Sequence, residues 1–146
     1  MRRTLAAVLI AAGTIAAAPE DGRAGYERRE DTMKQLGRSI YTGIGRVVQG
    51  RNQYGPDTVG AAETAARIAA TLPTLFPPGS EVPPSRMRPE LLAPGSNREA
   101  LIAAVQSAVA DLVPAVKGGD QAAMASAYKA VTSACDACHS KFRNDE

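Results

Sequence analysis

From Tyr26 onward the apolar positions of the chain fall at steps of three and four. Met33, Leu36, Ile40, Ile44 and Val47 form one such stripe, which predicts a first helix running to about Gln49. Gly37, Gly43 and Gly45 each weaken that helix by about 1 kcal/mol relative to alanine. They also leave room for a neighbouring backbone or a flat ligand. Gly50 to Pro56 reads as a loop, with Asp57 as cap of a second helix. That helix has a narrow face of small residues, Val59, Ala62, Ala66, Ala69 and Leu72, and ends before Pro73.

Pro73 to Gly95 carries seven prolines and two glycines. So long a Pro-rich link cannot be an ordinary helix hairpin and is expected to cross over one end of the molecule. Ser96-Asn97-Arg98-Glu99 has the form of a capping box and opens a third helix to about Lys117, with Leu101, Val105, Ala108, Leu112 and Val116 inward. Pro114 interrupts its last turn and is a candidate kink. Gly118-Gly119 ends it, and Asp120 caps a fourth helix whose Met124, Tyr128, Val131 and Cys135 continue the pattern toward Phe142. Short first and third links with a longer middle one predict an all-α, antiparallel four-helix bundle.

Composition supports helices. Aromatics are 4% of the 146 residues and alanine is abundant, which suits close helix packing better than a sheet. Met1-Arg2-Arg3 followed by the apolar stretch Thr4 to Ala18 has the order of parts of a secretory signal peptide, too short to span a bilayer and ended by Pro19-Glu20-Asp21-Gly22. Cleavage after Ala16 leaves residues 17–146 as one domain, exported by general secretion or by the twin-arginine route and not membrane-spanning. Without Arg2 and Arg3, fifteen basic residues face fifteen acidic ones, a balance that argues against nucleic-acid binding.

The chemistry lies close to the carboxyl end. Cys135-Asp136-Ala137-Cys138-His139 is a CxxCH motif and uses both cysteines and the single histidine of the chain. Two thiols three apart lie on neighbouring parts of one helical face and can form thioethers to the two vinyl groups of one haem c, while the next residue presents an imidazole to iron. Three other readings stand beside it. A disulfide here would close only a tiny loop, a redox dithiol lacks the βαβ pattern, and zinc would need a carboxylate as fourth ligand. With His139 committed to iron no Ser/His/Asp arrangement is possible, and no phosphate loop or paired-carboxylate motif occurs, so a conventional enzyme is disfavoured.

Arg29-x-x-x-Met33-Lys34-x-x-Gly37 in the first helix, Leu72-Pro73-x-x-Phe76-Pro77, Pro89-Glu90 and Cys135-x-x-Cys138-His139-x-x-Phe142-Arg143 are spread over the whole mature chain. Together they resemble the cytochrome c′ family, including its methionine-ligated relatives. The chain departs from the usual pattern at Leu92, where a tryptophan often stands. The resemblance implies a periplasmic haem protein in which Cys135 and Cys138 are the thioether sites and His139 the proximal ligand. It places Met33 on the distal side as a possible second iron ligand, Arg29 near the haem edge and Arg143 near the exposed proximal face. A haem propionate is the implied partner of both arginines, whereas Lys34 reads as a surface lysine and Tyr26, Tyr41, Tyr54 and Tyr128 carry no assigned role.

Two functions follow from the resemblance. An electron carrier would use Met33 as a sixth ligand and an unknown redox partner protein. A gas-binding protein would keep iron five-coordinate and admit nitric oxide or carbon monoxide. Family members often pair through their first two helices, and the small residues around Gly43, Ala62 and Ala66 would permit a homodimer.

Overall fold

The computed structural model describes residues 21–145; the signal segment expected over 1–16 lies outside them. Helix α1 (Gly22–Gly37) starts four residues earlier than the stripe suggested. The Asp21 carboxylate caps it by accepting from the Ala24 N–H at 2.9 Å. It runs on through a π-helical stretch, Arg38–Ile44, into a closing turn, Gly45–Val48. The Gly45 N–H reaches back five residues to the Ile40 carbonyl. This widening falls in the glycine-weakened part of the rod, where an α-turn has least intrinsic advantage.

Helices α2 (Pro56–Thr71), α3 (Arg98–Gly118) and α4 (Gln121–Phe142) complete an antiparallel four-helix bundle, and no strand occurs among the described residues. Two expected caps form differently. Gly55, not Asp57, is the N-cap of α2, with Pro56 at the first helical position and Asp57 in the first turn; Thr58 Oγ1 accepts from the Gly55 N–H at 3.3 Å. Only half of the capping box at Ser96 is made: Ser96 Oγ accepts from the Arg98 N–H at 3.4 Å. Asn97 caps α3 in the left-handed conformation, and Glu99 turns to Arg98 at 3.1 Å instead of reaching back. The end of α3 and the start of α4 follow the sequence: Gly119 is left-handed, and the Asp120 carboxylate accepts from the Ala123 N–H at 2.7 Å. Pro114 does not end α3, which continues to Gly118.

The core runs down the centre through Leu36, Ile40, Ile44, Ala62, Ala65, Ala69, Val105, Val109, Leu112, Val116, Met124 and Val131. Ala65 rather than Ala66 is at the centre of the α2 face, and Ile102 and Val109 join the α3 stripe while Leu101 and Ala108 sit at its margin. Helix α3 is long and apolar enough to cross a membrane, yet its apolar stripe packs between α2 and α4. The small residues expected to serve a dimer are used inside the chain. A Cβ on Gly43 would stand 2.5 Å from Ala61 Cβ, and Ala62 is fully buried.

Adjacent helices run in opposite directions, so α2 ends and α3 begins at the same end of the bundle. The Pro-rich crossover roofs that end instead of traversing the bundle. It forms a second small core, in which Met87 and Leu91 pack on Phe142, with Phe76, Leu92 and Leu101 at the edge. Leu92, where the sequence departs from the expected pattern, is half-buried at the edge of this cluster. Backbone pairing fastens this roof to the end of α4: the Arg88 N–H donates to the Phe142 carbonyl and the Asn144 N–H to the Arg86 carbonyl, both at 2.8 Å.

Candidate functional site

At the opposite, closed end, Gly45 lets the Tyr128 ring press against α1, since a Cβ there would stand 2.7 Å from Tyr128 Oη. Gln121 Nε2 donates to the Val48 carbonyl at 3.1 Å, and the Tyr54 hydroxyl donates to the Val116 carbonyl at 2.8 Å. Close backbone contact between the first and last helices is concentrated at Gly45–Val48. Toward the crossover α1 and α4 part, and a cavity of about 430 Å³ opens between them. Its size is that of a pocket for one small organic ligand.

Met33, Leu36, Gly37 and Ile40 face the cavity from α1 and its continuation; Cys135, Cys138, His139 and Phe142 face it from α4. Leu72, Leu101, Ile102 and Val105 form the back, while Ser85, Arg86, Met87 and Leu91 of the crossover form the roof. All six residues singled out from the sequence therefore border one space, with Arg29 and Arg143 at its polar margin. Sequence reasoning gave Phe76 no role in the site and missed Arg86, Met87 and Leu91. The apolar ones stand isolated among prolines, with no period to read, and Arg86 has no local signal.

Both thiols are half-buried and not bonded to each other, so the disulfide is not made. Among the described residues no group of three or more Cys, His, Asp or Glu side chains is placed to hold a metal ion, which leaves the zinc reading without its ligands. Burial pushes the Cys135 thiol up to about 11, with the nearby Asp136 carboxylate adding to the effect, and raises Cys138 as well. Burial acts in the opposite sense on His139, holding its pKa below the ordinary value against the pull of Asp136, with Arg86 assisting. The imidazole is thus kept in the neutral form that donates a lone pair to a metal. A thioether, an imidazole and two thiols around an apolar slot form a donor set for an iron porphyrin joined covalently to the chain.

Arg29 is not a solvated surface charge. It is 7% exposed, and its guanidinium donates to Ser80 Oγ and to the Ser80 carbonyl, both at 2.6 Å, to Ser85 Oγ at 3.0 Å and to the Leu75 carbonyl at 3.3 Å. Arg143 caps the end of α4, its N–H donating to the His139 carbonyl at 2.9 Å, and is exposed. Lys34 is exposed, as expected, and joins Glu30 at 2.9 Å; the Tyr26 hydroxyl donates to the other oxygen of the same carboxylate at 2.8 Å.

The model of the family described as Cytochrome C′ matches residues 25–143, nearly all of the described chain. The chain belongs to the cytochrome c′ family. It is similar to cytochrome c-556 of Agrobacterium tumefaciens, with 34% identity over 118 residues that cover 80% of this chain and 94% of that protein. Its fold matches solved cytochromes c′ from Alcaligenes xylosoxidans, among them a ferrous variant with bound NO at TM-score 0.78 and 20% identity, covering 86% of this chain and 98% of that one. A carbon-monoxide-bound variant from the same organism gives 0.78 and 21% identity, again over 86% and 98% of the two chains. Cytochrome c′ from Rubrivivax gelatinosus likewise gives 0.78 and 20% identity, over 86% and 98%. As a cytochrome c′-family protein, the chain is a haem protein whose cofactor is haem c, bound covalently, and the cavity between α1 and α4 fits it.

Proposed function

We propose that this cytochrome c′-family protein is a periplasmic electron carrier, with Cys135 and Cys138 as the thioether sites, His139 as the proximal ligand and Met33 as the distal ligand. The observation that carries this reading is the presence of the Met33 side chain, from α1, in the same apolar cavity as His139, from α4. Bound haem supplies an iron that alternates between the ferric and ferrous states. The chain does the rest. Cys135 and Cys138 would hold the cofactor through thioethers to its two vinyl groups, an addition that needs no leaving group. His139 donates its lone pair, and its place one residue after Cys138 couples its position to that of the tether. The soft Met33 sulfur favours the ferrous state. Leu36, Ile40, Leu101 and Val105 exclude water and disfavour the additional charge of the ferric state. Arg143, exposed at the margin of the cavity, would supply a cation for a haem carboxylate. Export rests on the basic start and apolar run of residues 1–16.

Gas binding is the second reading, supported by the NO- and CO-bound forms among the proteins of the same fold. Optical spectra of the reduced holoprotein with and without carbon monoxide separate the two. Electron transfer predicts a low-spin spectrum that resists carbon monoxide and becomes reactive in Met33→Ala. A high-spin spectrum that shifts at once with carbon monoxide would overturn it and leave Met33 as a residue that only crowds the pocket.

A further inference from the structure

Among the buried polar side chains, Arg29 stands out because its charge faces no carboxylate within ion-pairing distance among the described residues. Four of its hydrogen bonds go to the crossover, two of them to backbone carbonyls of residues 75 and 80. Ser80, its main partner, is itself fully buried. The guanidinium also lies over the Phe76 ring, 5.8 Å from its centre, and Phe76 packs on both hydrophobic clusters. Two glycines on the same helix let the crossover come this close. A Cβ on Gly25 would stand 2.7 Å from Pro77 Cγ and 3.1 Å from Ser80 Cβ, and one on Gly22 would collide with the Gly79 carbonyl. Helix α1 is therefore shaped, as well as bonded, to receive residues 75–85.

We infer that Arg29 is a positioning residue of the cofactor cavity: its planar fork locks the crossover onto α1. The inference rests on the cavity being the haem site, but not on whether the iron carries electrons or binds gas. The route from Arg29 to the site is short. Ser85 Oγ accepts from Arg29 and, at 3.2 Å, from the Met87 N–H, and Ser85, Arg86 and Met87 all border the cavity. Arg29 and Met33 are also one helical turn apart on α1, so the clamp fixes the face from which Met33 enters. The ionisable groups that act on Arg29 are Glu81, from the crossover, and Tyr26, from α1, and both favour the charged state against the cost of burial.

A carboxylate partner and a clamp respond differently to lysine. An ammonium keeps the charge but cannot reach four acceptors from one rigid fork. The test uses the intact holoprotein, with amide hydrogen exchange and the midpoint potential as a function of pH. We expect Arg29→Lys and Arg29→Met alike to speed exchange at Ser80, Ser85, Met87 and Arg88 by about tenfold or more. Leu112 and Val131 should be unaffected. Water entering beneath the loosened roof should lower the midpoint potential by the same shift at every pH. Ser85→Ala, which removes one of the four acceptors of Arg29 and also the acceptor of the Met87 N–H, should speed exchange at Ser80 and Arg88 by a smaller factor should the Arg29 variants fail to fold. Recovery of the wild-type potential in Arg29→Lys, a change in the pH dependence of the potential, or crossover amides that exchange as in the wild type would each overturn the inference.

Discussion

The two ends of the bundle are built from the same kind of helix and do different work. At the closed end Ile44, Leu112, Val116 and Met124 leave no space, and Gly45 brings Tyr128 against α1. At the crossover end α1 and α4 separate, the lining is apolar but uncovered, and the roof is held by polar groups and prolines. The comparison teaches that the protein supplies its own core over half its length and needs a cofactor to complete the other half.

The largest effect expected from this contrast is that of removing the cofactor. A void of about 430 Å³ would cost about 10 kcal/mol at the rate observed for buried cavities, an upper bound because the cavity is open on one side. That is comparable with the whole stability of a domain. The double variant Cys135→Ala/Cys138→Ala should therefore give little holoprotein, and amide exchange should show its crossover end unprotected while Leu112 and Val116 keep residual protection. Equal protection at both ends would break the comparison.

Truncation at the closed end comes next. Leu112→Ala should lose about 2–5 kcal/mol in denaturant unfolding of the holoprotein, the range for a buried leucine that cannot be refilled, and should leave the haem spectrum unchanged. A pair of glycines sharpens the point further. Gly45→Ala should destabilise by about 1–3 kcal/mol through overpacking against Tyr128, whereas Gly60→Ala, where nothing stands within 4 Å of the new Cβ, should stabilise α2 by about 1 kcal/mol. Thermal midpoints of the two variants should move in opposite directions.

The smallest effect belongs to the ladder Tyr26–Glu30–Lys34 beside the cavity, which runs from the buried Tyr26 to the exposed Lys34. Hydrogen bonds from Lys34, then Tyr26, hold the Glu30 carboxylate below its ordinary value of 4.5. A depressed carboxylate contributes its full stability above the unfolded value and loses it as the pH falls through the folded one. Glu30→Gln should therefore leave the thermal midpoint less sensitive to acid below about pH 4.5, with little change at neutral pH.

The bundle was legible because its signals are local and repeated: stripes of period 3.6, Gly118-Gly119 and Asp120 at the last turn, and a link too rich in proline to be a helix. CxxCH was legible because the two cysteines and the histidine are covalently close. What could not be read depended on distant parts of the chain. The Ser96 box is only half made because Asn97 takes the left-handed conformation, and Glu99 has a nearer partner in Arg98. Ala62 and Gly43 looked available for a second subunit because small residues read alike whether they pack inside or outside. The partnership of Arg29 with Ser80, fifty-one positions away, has no local signal at all.

Met33 remains the point on which the site turns, and the proton NMR spectrum of the reduced holoprotein tests it most directly. Ligation by Met33 predicts a three-proton methionine methyl resonance displaced far upfield by the porphyrin ring current and absent in Met33→Ala. A wild-type spectrum with paramagnetically broadened haem resonances and no such methyl signal would contradict the account and make this protein a five-coordinate binder of small gases.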